Sequence, residues 1–135
     1  MPVLLVDDQP EILAMLREYL SAAGIPTVSA SSAEEALRLH REEQFPVILS
    51  DIKMPGMSGV ELIREIKKIN PTCIVFLMTG FASISSLVQC MEVGAVDYFV
   101  KPFGSLELVA DSIKDALIRH KRWKADLVGA PKGTR

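Results

Sequence analysis

The sequence predicts an α/β domain in which helices cover both faces of five parallel strands, a doubly wound sheet. Short apolar runs alternate with amphipathic stretches five times along the chain. The apolar runs lack period-two alternation, which is typical of parallel strands that are buried on both faces. The length of 135 residues suits one ordinary globular domain and is too short for two. Five βα units of this length build a doubly wound sheet.

The strands are predicted from the apolar runs, most of which end at a polar residue. They cover residues 3–6, 27–30, 47–50, 73–78 and 96–100. After each strand, apolar residues recur at helical spacing. The helices are predicted over residues 10–23, 33–43, 60–69, 84–94 and from 106 onwards.

Local residues set several helix ends. Pro10 suits a first helical turn, and Gly24 suits the residue that follows a last one. Ser32 and Ser105 stand where N-caps are expected, because a serine hydroxyl accepts a bond from the N–H groups of the first turn. Glu35, three residues after Ser32, is the expected partner in a capping box.

Composition argues against several function classes. Lys plus Arg total 15 and Asp plus Glu total 17, and the net charge of -2 gives no indication of direct nucleic-acid binding. No apolar run approaches the ~20 residues that span a bilayer, and no signal peptide is expected, so we predict a cytoplasmic domain without membrane contact. Cys73 and Cys90 are expected to be reduced packing residues. His40 and His120 lack partners at zinc-site spacing.

A basic run over residues 119–124, which includes Trp123, has two interpretations. In the first, the helix dipole favours cations at the carboxyl end of the last helix, by about 0.3–1 kcal/mol each. In the second, this helix continues into a linker toward an output domain. We predict a domain over residues 1–124 and a flexible tail or the start of a linker over residues 125–135.

Side chains suited to chemistry collect at the carboxyl ends of the strands. The first, third, fourth and fifth strands end at Asp7 and Asp8, at Asp51, at Thr79 and at Lys101. Ligands of open parallel sheets bind outside these ends, so the five side chains should meet at one edge. Three carboxylates would repel one another there, and a hard divalent cation such as Mg²⁺ relieves that repulsion. A carboxylate nucleophile beside a lysine and a hydroxyl suits phosphoryl transfer.

Four motifs that contain these residues follow one another along the chain. They are Val6-Asp7-Asp8, Asp51-x-x-Met54-Pro55-Gly56-x-x-Gly59, Met78-Thr79-Gly80 and Gly94-Ala95-x-Asp97-Tyr98-Phe99-x-Lys101-Pro102-Phe103. Together they closely resemble the receiver domains of response regulators in two-component signalling, over residues 1 to about 122. The resemblance implies a flavodoxin-like fold with strand order 2-1-3-4-5 and five helices. In relatives the bond that corresponds to Lys101–Pro102 is often cis.

The resemblance also implies a reaction. Asp51 would accept a phosphoryl group from the phosphohistidine of a sensor histidine kinase or from a phosphotransfer protein. The ligands of Mg²⁺ (or Mn²⁺) would be Asp8, Asp51 and, directly or through water, Asp7. The backbone carbonyl of Lys53 would complete the protein ligands, and Lys101 would contact the phosphoryl group. Such a domain is not an enzyme in the usual sense, since it catalyses only its own phosphorylation and slow dephosphorylation.

Further implied roles concern the response to the phosphate. Thr79 would be the switch hydroxyl and Tyr98 the switch aromatic, and they would remodel the surface of the fourth helix, fifth strand and fifth helix. That surface would bind a downstream output domain or protein, or a second copy in a phosphorylation-dependent homodimer. Lys53 and Phe81 hold the positions that set the phosphate lifetime in relatives. Because Phe81 is bulky and apolar, we predict slow self-dephosphorylation.

Each of these residues also has a plain structural interpretation. Asp8 could cap the first helix, Asp51 could be a turn residue, and Thr79 could be a β-branched strand end. Lys101 could be solvated, and Tyr98 could be ordinary core. A rival class, the haloacid-dehalogenase phosphatases, places Asp-x-Asp after its first strand, whereas the two aspartates here are adjacent. A third hypothesis is a receiver-shaped binding module that is never phosphorylated.

Overall fold

The structure of the protein, a computed structural model, describes residues 2–101 and 103–129, with side chains through Leu127. Five strands alternate with five helices along the chain. The strands are β1 (Val3–Val6), β2 (Thr27–Ala30), β3 (Val47–Asp51), β4 (Ile74–Thr79) and β5 (Asp97–Val100). The helices are α1 (Pro10–Ala22), α2 (Ala33–Glu42), α3 (Gly59–Ile69), α4 (Ile84–Glu92) and α5 (Leu106–Lys124), and a short π-helix (Ala125–Gly129) follows α5.

All five strands are parallel and lie in the order β2-β1-β3-β4-β5. This order confirms the predicted α/β class and the flavodoxin-like topology. The register aligns the carboxyl ends of β3, β4 and β5, with Asp51 opposite Met78 and Thr79 opposite Val100. Residues at these ends therefore meet at one edge of the sheet.

Each face of the sheet carries its own hydrophobic core. The core under α1 and α5 receives Leu5, Leu49 and Phe76 from the strands. The core under α2, α3 and α4 receives Leu4 and Ile48. Successive strand residues point to opposite faces, so a central strand must be apolar on both. The three central strands β1, β3 and β4 are buried throughout, as the absence of alternation predicted.

The two edge strands are less buried than predicted. In β2 only Ala30 is buried, and in β5 only Phe99 is. Each edge strand has a neighbouring strand on one side alone, so its outer side faces solvent. The expectation that all five strands are buried on both faces is therefore wrong for β2 and β5.

The predicted capping residues begin their helices, with one change of partner. Ser32 accepts a hydrogen bond from the backbone N–H of Glu35 (3.1 Å), and Ser105 accepts one from that of Leu108 (3.2 Å). The Glu35 carboxylate, however, turns to Ser31 and accepts from its backbone N–H (2.8 Å). The capping box predicted for Ser32 is thus only half formed, because the Glu35 carboxylate bonds the N–H of Ser31 and not that of Ser32.

Helical structure continues past the predicted domain boundary at residue 124. The last turn of α5 contains Lys121, Arg122 and Lys124, where the helix dipole favours cations. Trp123 packs against the core under α1 and α5. These positions agree with the dipole interpretation of the basic run, while the continuation of the helix agrees with the second interpretation, and both stay predictions. The π-helix then carries the chain to residue 129.

Two expectations concern residues that the structure does not describe. Pro102, and with it the cis bond implied at Lys101–Pro102, lies outside the described residues. Residues 130–135 of the predicted tail or linker lie outside them as well. In the part of the chain that is described, no helix combines the length and the apolar character that crossing a membrane requires.

Both cysteines are buried and free, as predicted. Burial raises the pKa of the Cys73 thiol to about 12, so this thiol is protonated and unreactive at neutral pH. Cys73 and Cys90 belong to the core under α2, α3 and α4, where they act as small apolar residues.

His40 is a fully buried histidine on α2. Its Nδ1 accepts a hydrogen bond from the backbone N–H of Phe45 (3.1 Å), and the two rings stack with centroids 6.1 Å apart. The neutral ring therefore carries its proton on Nε2, which has no hydrogen-bond partner among the described residues. Burial lowers the pKa of His40 below its usual value of 6.5. His40 is thus a packing residue that resists protonation.

Replacing His40 by Asn is expected to make the free energy of unfolding fall less steeply as the pH is lowered below about 6.5. Because burial lowers the pKa of His40 in the folded state, the unfolded chain takes up the proton first. The contribution of His40 to the free energy of unfolding is complete above its unfolded pKa of 6.5. It is lost as the pH falls toward the folded pKa. The slope is at most about 1.4 kcal/mol per pH unit for one proton. Urea unfolding at a series of pH values measures it.

Asn suits this test because its amide oxygen can accept the Phe45 N–H without titrating. The His120→Gln variant is a comparison and not a neutral control, because burial and the Lys124 charge lower the pKa of His120 as well and its removal should also flatten the slope. Equal slopes in the wild type and in His40→Asn would contradict the prediction.

Candidate functional site

The carboxyl ends of the strands bring together side chains from distant parts of the sequence. Asp7 follows β1 and is fully buried, and Asp51 ends β3 and is 6% exposed. Lys101 follows β5, and its Nζ donates to Asp7 Oδ2 at 3.1 Å and to Asp51 Oδ2 at 3.2 Å. These ion pairs join positions 94 and 50 residues apart. They connect β1, β3 and β5 at one edge of the sheet, as the sequence predicted.

Gln9 takes part in the same cluster. Its side-chain Oε1 accepts a bond from Lys101 Nζ (3.1 Å), and its backbone N–H donates to Asp7 Oδ1 (3.0 Å). Both carboxylate oxygens of Asp7 are therefore bonded to protein donors. Sequence reasoning missed Gln9 as a site residue, although its position directly after the acidic pair was a usable indication.

The charges in this cluster partly oppose one another. Burial and, next, the charge of Asp7 raise the pKa of the Asp51 carboxyl above its usual value, although Lys101 acts in the opposite direction. Burial alone would lower the pKa of Lys101, but its bond to Asp7 and the charges of Asp51 and Asp7 raise it overall. Lys101 therefore does not fully offset the combined effect of burial and of the Asp7 charge on the pKa of Asp51.

The three acidic side chains fit a hard divalent cation. One carboxylate oxygen each from Asp7, Asp8 and Asp51 lies within 4.8 Å of the others. Mg²⁺ prefers oxygen ligands of this kind and keeps several waters. Asp8 is exposed and, with Asp51, lines the adjoining cavity, so both have access to an ion and its waters. The residues present thus match the donor set that such a cation requires.

A cavity of about 500 Å³ opens beside the acidic side chains. Its walls include most of the predicted site residues, namely Asp8, Asp51, Lys53, Thr79, Phe81 and Lys101. Thr79 Oγ1 donates to the Phe81 carbonyl (2.9 Å) and accepts from the Phe81 N–H (3.1 Å), so this hydroxyl is bonded within its own turn. The Phe81 side chain is 74% exposed. The cavity can therefore admit a ligand from solvent next to Asp51.

Tyr98 lies apart from this cavity. It is the second residue of β5, where it pairs with Leu77 of β4. The side chain is half-buried and packs against the core under α2, α3 and α4. This position is that of a core residue, which was one of its two interpretations, and its role as the switch aromatic stays a prediction.

The turn after β3 fixes the backbone of Asp51. Gly59 approaches so closely that a Cβ atom there would lie 2.0 Å from the Asp51 carbonyl oxygen. The Gly59 N–H donates to the carbonyl of Ile52 (2.8 Å), and Ser50 Oγ donates to the Asp51 carbonyl (3.0 Å). Only glycine permits this approach of two backbone segments, which explains the glycine at this point of the motif.

Comparison with known proteins relates these residues to a family. The family model of the response regulator receiver domain matches residues 3–113. The chain is 37% identical over 117 residues to a cyclic di-GMP phosphodiesterase of Thermotoga maritima, a match that covers 87% of this chain and 31% of that protein. It is 32% identical over 115 residues to sporulation initiation phosphotransferase F of Bacillus subtilis, covering 85% of this chain and 92% of that protein.

A solved structure gives the same relationship. The beryllofluoride-activated NtrC4 receiver domain dimer matches with a TM-score of 0.82 and 34% identity, over 88% of this chain and 98% of that one. This chain spans less than a third of the length of several curated relatives, the phosphodiesterase among them. Receiver domains are signalling modules of two-component systems. The match over residues 3–113 shows that the chain belongs to the family of response regulator receiver domains.

Proposed function

We propose that the chain is the phosphoacceptor module of a two-component response regulator and that Asp51 is the residue phosphorylated. The observation that carries the proposal is the cluster in which Lys101 bonds both Asp7 and Asp51 beside a third carboxylate, Asp8. Phosphoryl transfer needs positioning and charge stabilisation, and this cluster offers both. The proposed donor is a sensor histidine kinase or a phosphotransfer protein, in a cytoplasmic setting.

In the proposed reaction, a carboxylate oxygen of Asp51 attacks the phosphorus of a phosphohistidine in line with the departing imidazole. An O–P bond forms, the N–P bond breaks, and the imidazole nitrogen leaves with the electron pair. Lys101 Nζ, already bonded to Asp51 Oδ2, lies where negative charge collects on the transferring group. Thr79 would add a hydroxyl donor once its Oγ1 gives up its hydrogen bonds with the Phe81 backbone.

Mg²⁺ (or Mn²⁺) would be held by the carboxylates of Asp8 and Asp51 and by the backbone carbonyl of Lys53. When bound, the ion neutralises carboxylate charge and polarises a phosphoryl oxygen. Asp7 would join directly or through water. Protein donors already bond both of its oxygens, which favours the water-mediated alternative.

Intact-mass spectrometry tests the proposal. After incubation with acetyl phosphate and Mg²⁺, we expect the wild-type chain to gain the mass of one phosphoryl group. We expect no gain when EDTA replaces Mg²⁺. Full modification in EDTA would contradict the metal requirement. No modification by acetyl phosphate or by a set of phosphorylated histidine kinases and phosphotransfer proteins would contradict the acceptor role.

The surface of α4, β5 and α5 is proposed as the output surface. It exposes large apolar side chains, among them Ile84 (83% exposed), Met91 (71%) and Leu108 (59%), together with Val96 and Val100. Apolar exposure of this kind suits contact with a protein. The proposed partners are an output domain or protein and a second copy of the chain in a phosphorylation-dependent homodimer. The related NtrC4 receiver domain is described as a dimer in its activated form.

Thr79 and Tyr98 are proposed to couple the acceptor site to this surface. Phosphorylation adds about -1.5 to -2 charge, taking the phosphoserine-type figure as a proxy. The Thr79 hydroxyl would then exchange its bonds with Phe81 for one with the phosphate. Tyr98 would change rotamer in response, as a shift between two arrangements that are both populated beforehand.

Replacing Phe81 by Ala is expected to shorten the lifetime of the phosphorylated chain about three- to tenfold, because a smaller side chain admits more water. Phe81 lines the cavity beside Asp51 and offers no hydrogen bond that would orient an attacking water. The wild type should therefore keep its phosphate for minutes or longer. The decay of the phosphorylated mass after removal of acetyl phosphate measures both lifetimes.

Leu127→Ala is the control for this prediction, because Leu127 is similarly exposed (71% against 74%) and lies in the π-helix, outside the cavity and the output surface. Its lifetime should equal that of the wild type. A wild-type half-life of seconds that Phe81→Ala leaves unchanged would refute the role of Phe81.

A further inference from the structure

The loop between β3 and α3 (residues 52–58, the β3–α3 loop) is bonded by a side chain from another helix. Glu34, in the first turn of α2, accepts through Oε2 a hydrogen bond from the backbone N–H of Met57 (3.0 Å). The two residues are 23 positions apart. Among the described residues, no other side chain from outside β3, the loop and α3 forms a hydrogen bond with this loop.

Gly56 allows the carboxylate to approach. Its φ of +78° lies in the left-handed region that favours glycine, and a Cβ atom there would lie 2.8 Å from Glu34 Oε2. Two successive loop residues thus face Glu34, one by close packing and one by a hydrogen bond. The bond from Met57 also lowers the pKa of Glu34 below its usual value, so the carboxylate is charged at neutral pH.

The same loop begins at the acceptor residue. The backbone N–H of Lys53 is near enough to the Asp51 carboxylate to lower the pKa of that carboxyl, although burial outweighs this effect. The carbonyl of Lys53 is the proposed backbone ligand of the cation. At its other end the loop is fixed by Ser58, which forms a full capping box with Glu61 at the start of α3. A displacement in the middle of the loop would therefore be transmitted to Lys53.

We propose that Glu34 is a positioning residue of the phosphoacceptor site. By holding the β3–α3 loop it keeps Lys53 where its carbonyl can bind the divalent cation. Glu34 is not among the residues that line the cavity, so it acts through the loop. The inference rests on the proposed function, since it assumes that a divalent cation binds there.

Mg²⁺ titration by calorimetry, on three variants and the wild type, tests this role. Glu34→Ala removes the acceptor, whereas Glu34→Gln keeps an amide oxygen for the Met57 N–H. Glu42→Ala removes a charge from the exposed end of the same helix, where Glu42 pairs with Arg38. We expect Glu34→Ala to weaken Mg²⁺ binding about three- to tenfold, and the other two variants to stay within about twofold of the wild type.

Two further measurements separate positioning from a general loss of structure. Hydrogen exchange of the Met57 amide in the metal-free protein should accelerate in Glu34→Ala and stay near the wild-type rate in Glu34→Gln. At saturating Mg²⁺, the rate of phosphorylation by acetyl phosphate should return to the wild-type value in Glu34→Ala. Recovery is expected because Asp51 and Lys101 are unchanged and only the binding of the ion is weakened.

The outcomes distinguish this inference from the proposed function. Wild-type Mg²⁺ affinity in Glu34→Ala would overturn the inference and leave the proposed function intact. Equal weakening in Glu34→Gln or in Glu42→Ala would overturn it too, because net charge would then be the cause. No Mg²⁺ binding by the wild type would overturn the proposed function and this inference with it.

Discussion

The Asp51→Asn variant is expected to gain no phosphoryl group under conditions that fully modify the wild-type chain. Asparagine keeps the shape of the side chain, but its amide cannot form an acyl phosphate, so the rate should fall by at least about a hundredfold. Asp51 lines the cavity and is bonded by Lys101 at 3.2 Å, whereas Asp7 is fully buried. Asp51 is therefore the carboxylate that combines an access route with a neighbouring cation. Intact mass after acetyl phosphate and Mg²⁺ measures the loss.

The variant should fold, which makes the loss of modification interpretable. Burial and the charge of Asp7 raise the pKa of Asp51, so its ionised form does not stabilise the metal-free protein. Asp111→Asn is the matched control, because Asp111 is an exposed aspartate on α5 and should leave modification complete. Unchanged modification of Asp51→Asn would assign the acceptor to another residue. Normal signalling by Asp51→Asn in a cell would favour the unphosphorylated binding module.

The fold and the strand-end residues were predictable because both follow from local patterns. Apolar runs and helical spacing define the elements, and a parallel sheet brings every strand end to one edge. Asp7, Asp51 and Lys101 therefore meet whatever the details of helix packing. The same reasoning overestimated the burial of β2 and β5, since a single strand's sequence does not reveal whether it has one neighbour or two.

The remaining features depend on which way a side chain turns between elements. The Glu35 carboxylate had two serine N–H groups nearby in sequence, and the packed structure selects that of Ser31. Glu34 reaches Met57 only because the fold places the first turn of α2 beside the β3–α3 loop. No periodicity or capping pattern in the sequence encodes such a contact across 23 residues. The supporting contacts of the site therefore required the structure, while the meeting of Asp7, Asp51 and Lys101 at one edge of the sheet did not.

Gly59→Ala is expected to lower the free energy of unfolding by about 3 kcal/mol or more, at or above the upper end of the usual range for overpacking. The new Cβ would lie 2.0 Å from the Asp51 carbonyl oxygen, 2.9 Å from its carbonyl carbon and 3.0 Å from the Cα of Ile52. All three are backbone atoms, so no side-chain rotation relieves the clash. A loss of this size is a large part of the about 5–15 kcal/mol that stabilises a typical domain. Urea unfolding measures it.

Gly104→Ala is the control, since no heavy atom lies within 4 Å of a Cβ built at Gly104 and its φ is not left-handed. Its unfolding free energy should stay within about 0.5 kcal/mol of the wild type. If Gly59→Ala folds at all, the Asp51 backbone must have moved, and both Mg²⁺ affinity and phosphorylation should fall with stability. A loss below about 1 kcal/mol with normal phosphorylation would show that the turn after β3 can shift without cost. In that case Gly59 would not be what holds the acceptor in place, and the position of Asp51 would depend on its bonds to Lys101 and the β3–α3 loop.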